Sequence, residues 1–226
     1  IMSGAWSPRR LPRSSLSGGA SPLRPSAVSR RCTSSSASTL AAYAPSDEVL
    51  KVVDSGPGLK PTVTVRVTDP TNDDAPYDIK AAGGPFQIGN ASLRVDVAFS
   101  TRPDFTNTGS GSAPTATTGT PAQPIAIDFK ANGVADPAFP GAFSATAAQA
   151  MPATATGSGS ALLEGRPALD VNGDGTLERL PVTAAGLAFA ITDATPVAYR
   201  KIVAIEKCHD CHLEVTLHGN SRTGNA

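Results

Sequence analysis

Between residues 62 and 68 the chain alternates strictly, with Val63, Val65 and Val67 on one side and Thr64, Arg66 and Thr68 on the other. A period of two sends successive side chains to opposite faces, so this stretch reads as a strand with one buried face. Asp69-Pro70-Thr71-Asn72-Asp73-Asp74 then ends it with turn residues. Leu93, Val95, Val97 and Phe99 alternate with Arg94 and Asp96 in the same way and predict a second strand. Ile125, Ile127 and Phe129 predict a third, and Leu187, Phe189 and Ile191 another. Val197 to Ile205 predicts the last. No segment keeps a helical period over three turns.

Several short alternating strands separated by Gly and Pro turns define an all-β protein, here an antiparallel β-sandwich of Ig-like or split-barrel type. The expected core is Val63, Val65, Val67, Leu93, Val95, Val97, Ile127, Phe129, Phe189 and Ile191. Two low-complexity pieces interrupt the pattern. Thr106 to Pro124 is rich in Thr, Gly, Ser and Pro, and Ala145 to Ser160 in Ala, Thr, Gly and Ser. Such composition buries little apolar surface to offset the entropy of ordering it, so both are expected to be long surface loops. Three regions follow: 1–46 as a disordered leader or linker, 47–205 as the sandwich, and 206–226 as the start of a c-type haem segment.

Composition narrows the function classes. The 226 residues carry 19 basic and 19 acidic side chains, which leaves no bulk electrostatic case for nucleic acid or an anionic membrane. Gly and Pro number 21 and 20, and aromatics make up 5%, as suits turn-rich β structure. No apolar run approaches the ~20 residues of a spanning helix. The first 46 residues are rich in Arg and Ser and lack acids, a composition shared with organellar transit peptides, though the apolar spacing of such a peptide is weak. Cys32 is unpaired, because the other two cysteines belong to one motif.

That motif is Cys208-His209-Asp210-Cys211-His212, which reads C-x-x-C-H, the c-type haem attachment signal. Each thiol can form a thioether with one haem vinyl group, and His212 then lies under the iron as its axial ligand. A thioredoxin-like redox pair would sit in a βαβ context, whereas this one follows a β-rich region. A structural zinc site would draw on Cys208, Cys211 and two histidines, but zinc wants a tetrahedral set and adjacent Cys211 and His212 suit it poorly. Haem c is the reading the spacing favours.

Asp170-Val171-Asn172-Gly173-Asp174-Gly175 fits the first half of a calcium loop, with Asp170, Asn172 and Asp174 as oxygen donors. Position twelve, ordinarily a glutamate, is Pro181, so Glu178 or a distant residue would have to substitute. The same residues also read as a hairpin, since Asn172-Gly173 and Asp174-Gly175 are strong turn dipeptides. The two readings are compatible: weak extracellular Ca2+ would stiffen a hairpin tip.

The run from Val203 to Thr223, with its short lead-in strand, C-x-x-C-H, Leu217, His218-Gly219 and an Asn/Arg/Thr turn, resembles the first haem site of the OmcA/MtrC family of outer-surface decahaem c-type cytochromes. Thr62 to Asp69 and Glu164 to Val182 resemble, more loosely, the β domain before the haems in that family. The family carries many C-x-x-C-H sites and this chain has one. The resemblance therefore implies a longer multihaem protein, exported through the periplasm to the outer membrane or cell surface, with other haems or cytochromes and an outer-membrane porin-cytochrome complex as partners.

Two functions remain in view. The first is electron transfer by a surface-exposed multihaem cytochrome to extracellular acceptors such as metal oxides, a role distinct from that of a substrate-specific enzyme unless as a metal reductase. The second is a β-sandwich docking module with a single haem or a metal site. For the first, Met2 and Met151 lie in the leader and in a low-complexity loop, so a second histidine is the expected distal ligand, giving a low-potential haem. His218 would have to wrap around the macrocycle edge to reach the same iron, and is expected to serve a neighbouring haem. His209 is expected to face solvent.

Overall fold

The computed structural model describes residues 45–100, 123–183 and 185–199, together with the strand pairs at 216–217 and 222–223. In chain order the first elements are β1 (Ser46–Val53), β2 (Thr62–Asp69), β3 (Ala75–Pro76), β4 (Ser92–Ser100) and β5 (Ile125–Asp128). A single helical turn, α1 (Phe129–Asn132), leads to β6 (Val134–Ala135), β7 (Ala142–Thr146) and the long β8 (Thr156–Arg166). The short β9 (Ala168–Leu169), β10 (Glu178–Arg179) and β11 (Val182–Thr183) precede β12 (Ala185–Ala190), β13 (Thr216–Leu217) and β14 (Arg222–Thr223).

Two antiparallel sheets face each other. One runs β1-β2-β7-β6 with β3 added on β2, and the other runs β12-β8-β4-β5. Alternation explains what lies between them. Val63, Val65 and Val67 of β2 are at most 1% exposed, as are Leu93, Val95 and Val97 of β4, and all six join one core cluster. Leu163, Phe189 and Ile127 join it from the second sheet. The antiparallel sandwich expected from the pattern is the observed fold. Outward residues along β2 pair across the sheet: Arg66 Nη2 lies 2.6 Å from Glu48 Oε2, and Thr62 Oγ1 2.8 Å from Thr146 Oγ1.

Several expectations need correction. Ala145 to Ser160 is no surface loop. It contains the end of β7, and β8 begins at Thr156; Ala145, Ala147, Met151 and Ala155 are buried. Main-chain bonds hold Met151 in place, its N–H donating to Leu59 O at 2.7 Å and its carbonyl accepting from Gly58 at 3.1 Å. Small residues here bring strands close together, which composition alone misreads as looseness.

The third predicted strand stops at Asp128, whose side chain accepts from Ala131 N at 3.0 Å and caps α1. Phe129 therefore reaches the core from a helical turn. Residues 197–199 carry no strand, and Val197 and Tyr199 are about half exposed. Residues 200–205 of that prediction, and nearly all of the Thr106 to Pro124 segment, lie outside the described residues, as does the leader up to residue 44.

Candidate functional site

The loop from Asp170 to Leu177 joins β9 to β10, which pair antiparallel through Leu169 with Glu178 and Ala168 with Arg179. Asp170 organises it. Its Oδ1 accepts from Gly173 N (2.7 Å) and Asp174 N (3.1 Å), and its Oδ2 from Gly175 N (2.9 Å). Gly173 and Gly175 have φ of 74° and 85°, the left-handed region where glycine costs least. The hairpin reading is thus realised with a wide loop wrapped around one carboxylate.

The remaining donors converge on the same loop. Asn172 Nδ2 donates to Asp174 Oδ2 (3.1 Å) and Glu178 Oε1 (3.3 Å), while Glu178 Oε2 accepts from Val171 N (3.2 Å). Bonds from Thr176 to Asp174, backbone first, hold the Asp174 carboxyl below its ordinary pKa and keep it ionised. Glu178, at position nine counted from Asp170, is the acid that joins the loop, since position twelve is Pro181. Carboxylate and amide oxygens are the donors a hard cation such as Ca2+ takes. In this structure, however, no group of three or more His, Cys, Asp or Glu among the described residues is gathered as a metal cage, and the amide of Asn172 bridges the two acids.

The haem-motif residues Cys208, Cys211, His212 and His218 lie outside the described residues. What the structure does describe is their frame. On the upstream side Val197 N donates to Ser158 Oγ at 2.9 Å. On the downstream side β13 pairs with β14, and β14 pairs in parallel with β11 through Val182 with Arg222 and Thr183 with Thr223. Upstream, Val197 is thus bonded to β8, and downstream β14 is bonded to β11.

No competing catalytic constellation stands out among the described residues. Arg94 ties Asp96 (3.3 Å) and Glu164 together, so these buried carboxylates form an ion-paired group. Ser144 donates to Asp136, which Thr64 also bonds at 3.1 Å, but all three histidines of the chain fall between residues 209 and 218, leaving that serine no imidazole base. An open groove of about 570 Å3, lined by Thr62, Ile127, Asp128, Val134 and Ser144 among others, contains one carboxylate, the helix cap Asp128. Among the described residues no helix is long and apolar enough to cross a membrane.

No protein-family model matches the chain, and no curated protein matches it. Among solved structures, the crystal structure of MtrC from Shewanella baltica OS185 is similar, with 15% identity and a TM-score of 0.49, covering 84% of this chain and 34% of that one. The chain spans about a third of the length of that structure.

Proposed function

We propose that this chain is an electron-transfer protein holding haem c at Cys208-His209-Asp210-Cys211-His212. The observation that carries the reading is the C-x-x-C-H spacing itself. Two thiols and an adjacent imidazole are the donor set a covalently held haem requires. Cys208 and Cys211 would hold the haem through thioethers, and His212 would supply a nitrogen ligand to its iron. The haem, when bound, supplies a one-electron couple; the chain supplies ligands, burial and placement.

Met151 is buried in the core at 2% exposure and would not reach an iron, so a histidine would be the second ligand. His218 would supply that ligand to a neighbouring haem. The sandwich then serves as the rigid body from which the haem segment is hung. We extend the reading to a multihaem protein on the outer cell surface that works with other cytochromes and passes electrons to extracellular acceptors. The support for this extension is the resemblance of the Val203 to Thr223 run to the OmcA/MtrC family. The Asp170, Asn172, Asp174 and Glu178 loop would take Ca2+ only weakly, and only by drawing together carboxylates that this structure does not gather into a cage.

Expression with a c-type maturation system tests the haem reading. The pigment should survive acid-acetone extraction and give a c-type pyridine haemochrome, and Cys208→Ala with Cys211→Ala should abolish it. An extractable pigment, or none, would refute the reading.

A further inference from the structure

Beyond Ala190, where β12 ends, residues 192–199 are exposed as the chain travels toward Cys208. A polar clasp holds the start of this stretch. The N–H groups of Ile191, Thr192 and Asp193 all donate to one carbonyl, that of Gly157, at 2.9, 2.9 and 3.2 Å. Gly157 sits at φ 72°, a conformation that turns its carbonyl toward the departing chain at little steric cost. Its own N–H donates to Thr192 Oγ1 at 2.7 Å.

Ser158 completes the clasp. It is 2% exposed, and its hydroxyl is used in both directions: Oγ donates to Asp193 Oδ2 at 2.6 Å and accepts from Val197 N at 2.9 Å. A hydroxyl offers one proton and two lone pairs, so a single side chain here ties an acid and a main-chain amide four residues apart. Sheet formation does not require this, because pairing of β8 with β12 ends at Ser158 opposite Ala190. If the departing chain let go, the buried hydroxyl would lose its partners at a cost, which favours the held geometry.

We infer that Ser158 is a positioning residue: with Gly157 and Asp193 it sets the direction in which the chain leaves the sandwich toward the haem-bearing segment. The inference rests on the proposed haem at residues 208–212. An electron carrier works through where its fold places the cofactor, so the root of that segment is a natural point of control.

Hydrogen exchange by mass spectrometry on wild type, Ser158→Ala, Asp193→Ala and Asp193→Asn tests the clasp, with or without haem. In Ser158→Ala the Val197 amide should exchange at least about fivefold faster, the loss of one net hydrogen bond. Thr192 and Asp193 amides should stay slow, since Gly157 O is retained. Asp193→Ala should loosen Val197 in the same direction, while Asp193→Asn, which keeps an acceptor oxygen, should behave as wild type.

In the haem-loaded protein Ser158→Ala should also change the shape of the Soret circular dichroism, which a loss of stability alone would not do. Unchanged Val197 exchange would overturn the clasp. Faster exchange with an unaltered Soret band would overturn the positioning role. Absence of covalent haem from the wild type would overturn the functional reading beneath it, and shows itself separately as a missing Soret band.

Discussion

Gly159 of β8 lies directly opposite Phe189 of β12, and any side chain on it would overlap the Phe189 ring. A Cβ there would also come within 2.6 Å of the Ala98 carbonyl on the neighbouring strand. Phe189 is itself buried at 4% exposure, so the ring has nowhere to retreat. Gly159→Ala is predicted to destabilise the sandwich by about 1–3 kcal/mol through overpacking. Urea denaturation measures this, and a change below the experimental error would contradict the packing described.

That contact also explains what the sequence concealed. Regular alternation of large apolar residues made β2 and β4 legible, and their core residues are where the pattern puts them. The run Thr156-Gly157-Ser158-Gly159-Ser160 has no such signal, yet it opens the longest strand. Its small residues are there to admit Phe189 and the β4 backbone, a tertiary reason invisible to periodicity. In β1 the register shifts between Val49 and Lys51, which breaks the period of two. The acidic loop was legible through Asp170, Asn172 and Asp174 with Glu178 as a candidate substitute, and the fold brings Glu178 to Asn172 by closing β9 on β10. The Ser158 clasp joins residues 39 apart and left no mark in the pattern.

Val65 and Arg66 are neighbours with opposite fates. Val65 is 1% exposed within the core, whereas Arg66 points outward to Glu48. Val65→Asp should unfold the domain, because an unpaired carboxylate there loses its hydration with nothing in return. Arg66→Ala removes a partly exposed ion pair and should cost at most about 1 kcal/mol. Similar losses for the two variants would contradict the assigned faces.

Asp47 stands opposite Val67 across the β1–β2 pair, and neither of its carboxylate oxygens has a hydrogen-bond partner among the described residues. Burial pushes its pKa well above the ordinary value. The folded state therefore keeps a proton that the unfolded chain has released, and stability falls as pH rises above about 4. Asp47→Asn should stabilise the protein at pH 7 by about 1–3 kcal/mol, with the gain vanishing below about pH 4. Denaturation curves at both pH values decide; an equal gain at both would contradict the titration.

Calcium should act through the β9–β10 loop. A site of about 1 mM affinity, within the range of extracellular modules, would add roughly 1.4 kcal/mol of stability at 10 mM Ca2+. The gain should appear as a rise in Tm, disappear with chelator, and be absent in Asp174→Ala. Equal amounts of Mg2+ should do less, because Mg2+ demands a stricter geometry and sheds water reluctantly. A Tm insensitive to Ca2+ would remove the cation from the account.

The proposed function stands on haem held covalently by Cys208 and Cys211. Its most direct test is the mass of the denatured protein after expression with a c-type maturation system, followed by peptide mapping. The mass should be increased by one haem, retained after denaturation and located on the peptide that contains Cys208 to His212. Cys208→Ala with Cys211→Ala should return the mass to that of the bare polypeptide. A wild-type protein whose denatured mass equals that of the polypeptide alone would contradict it.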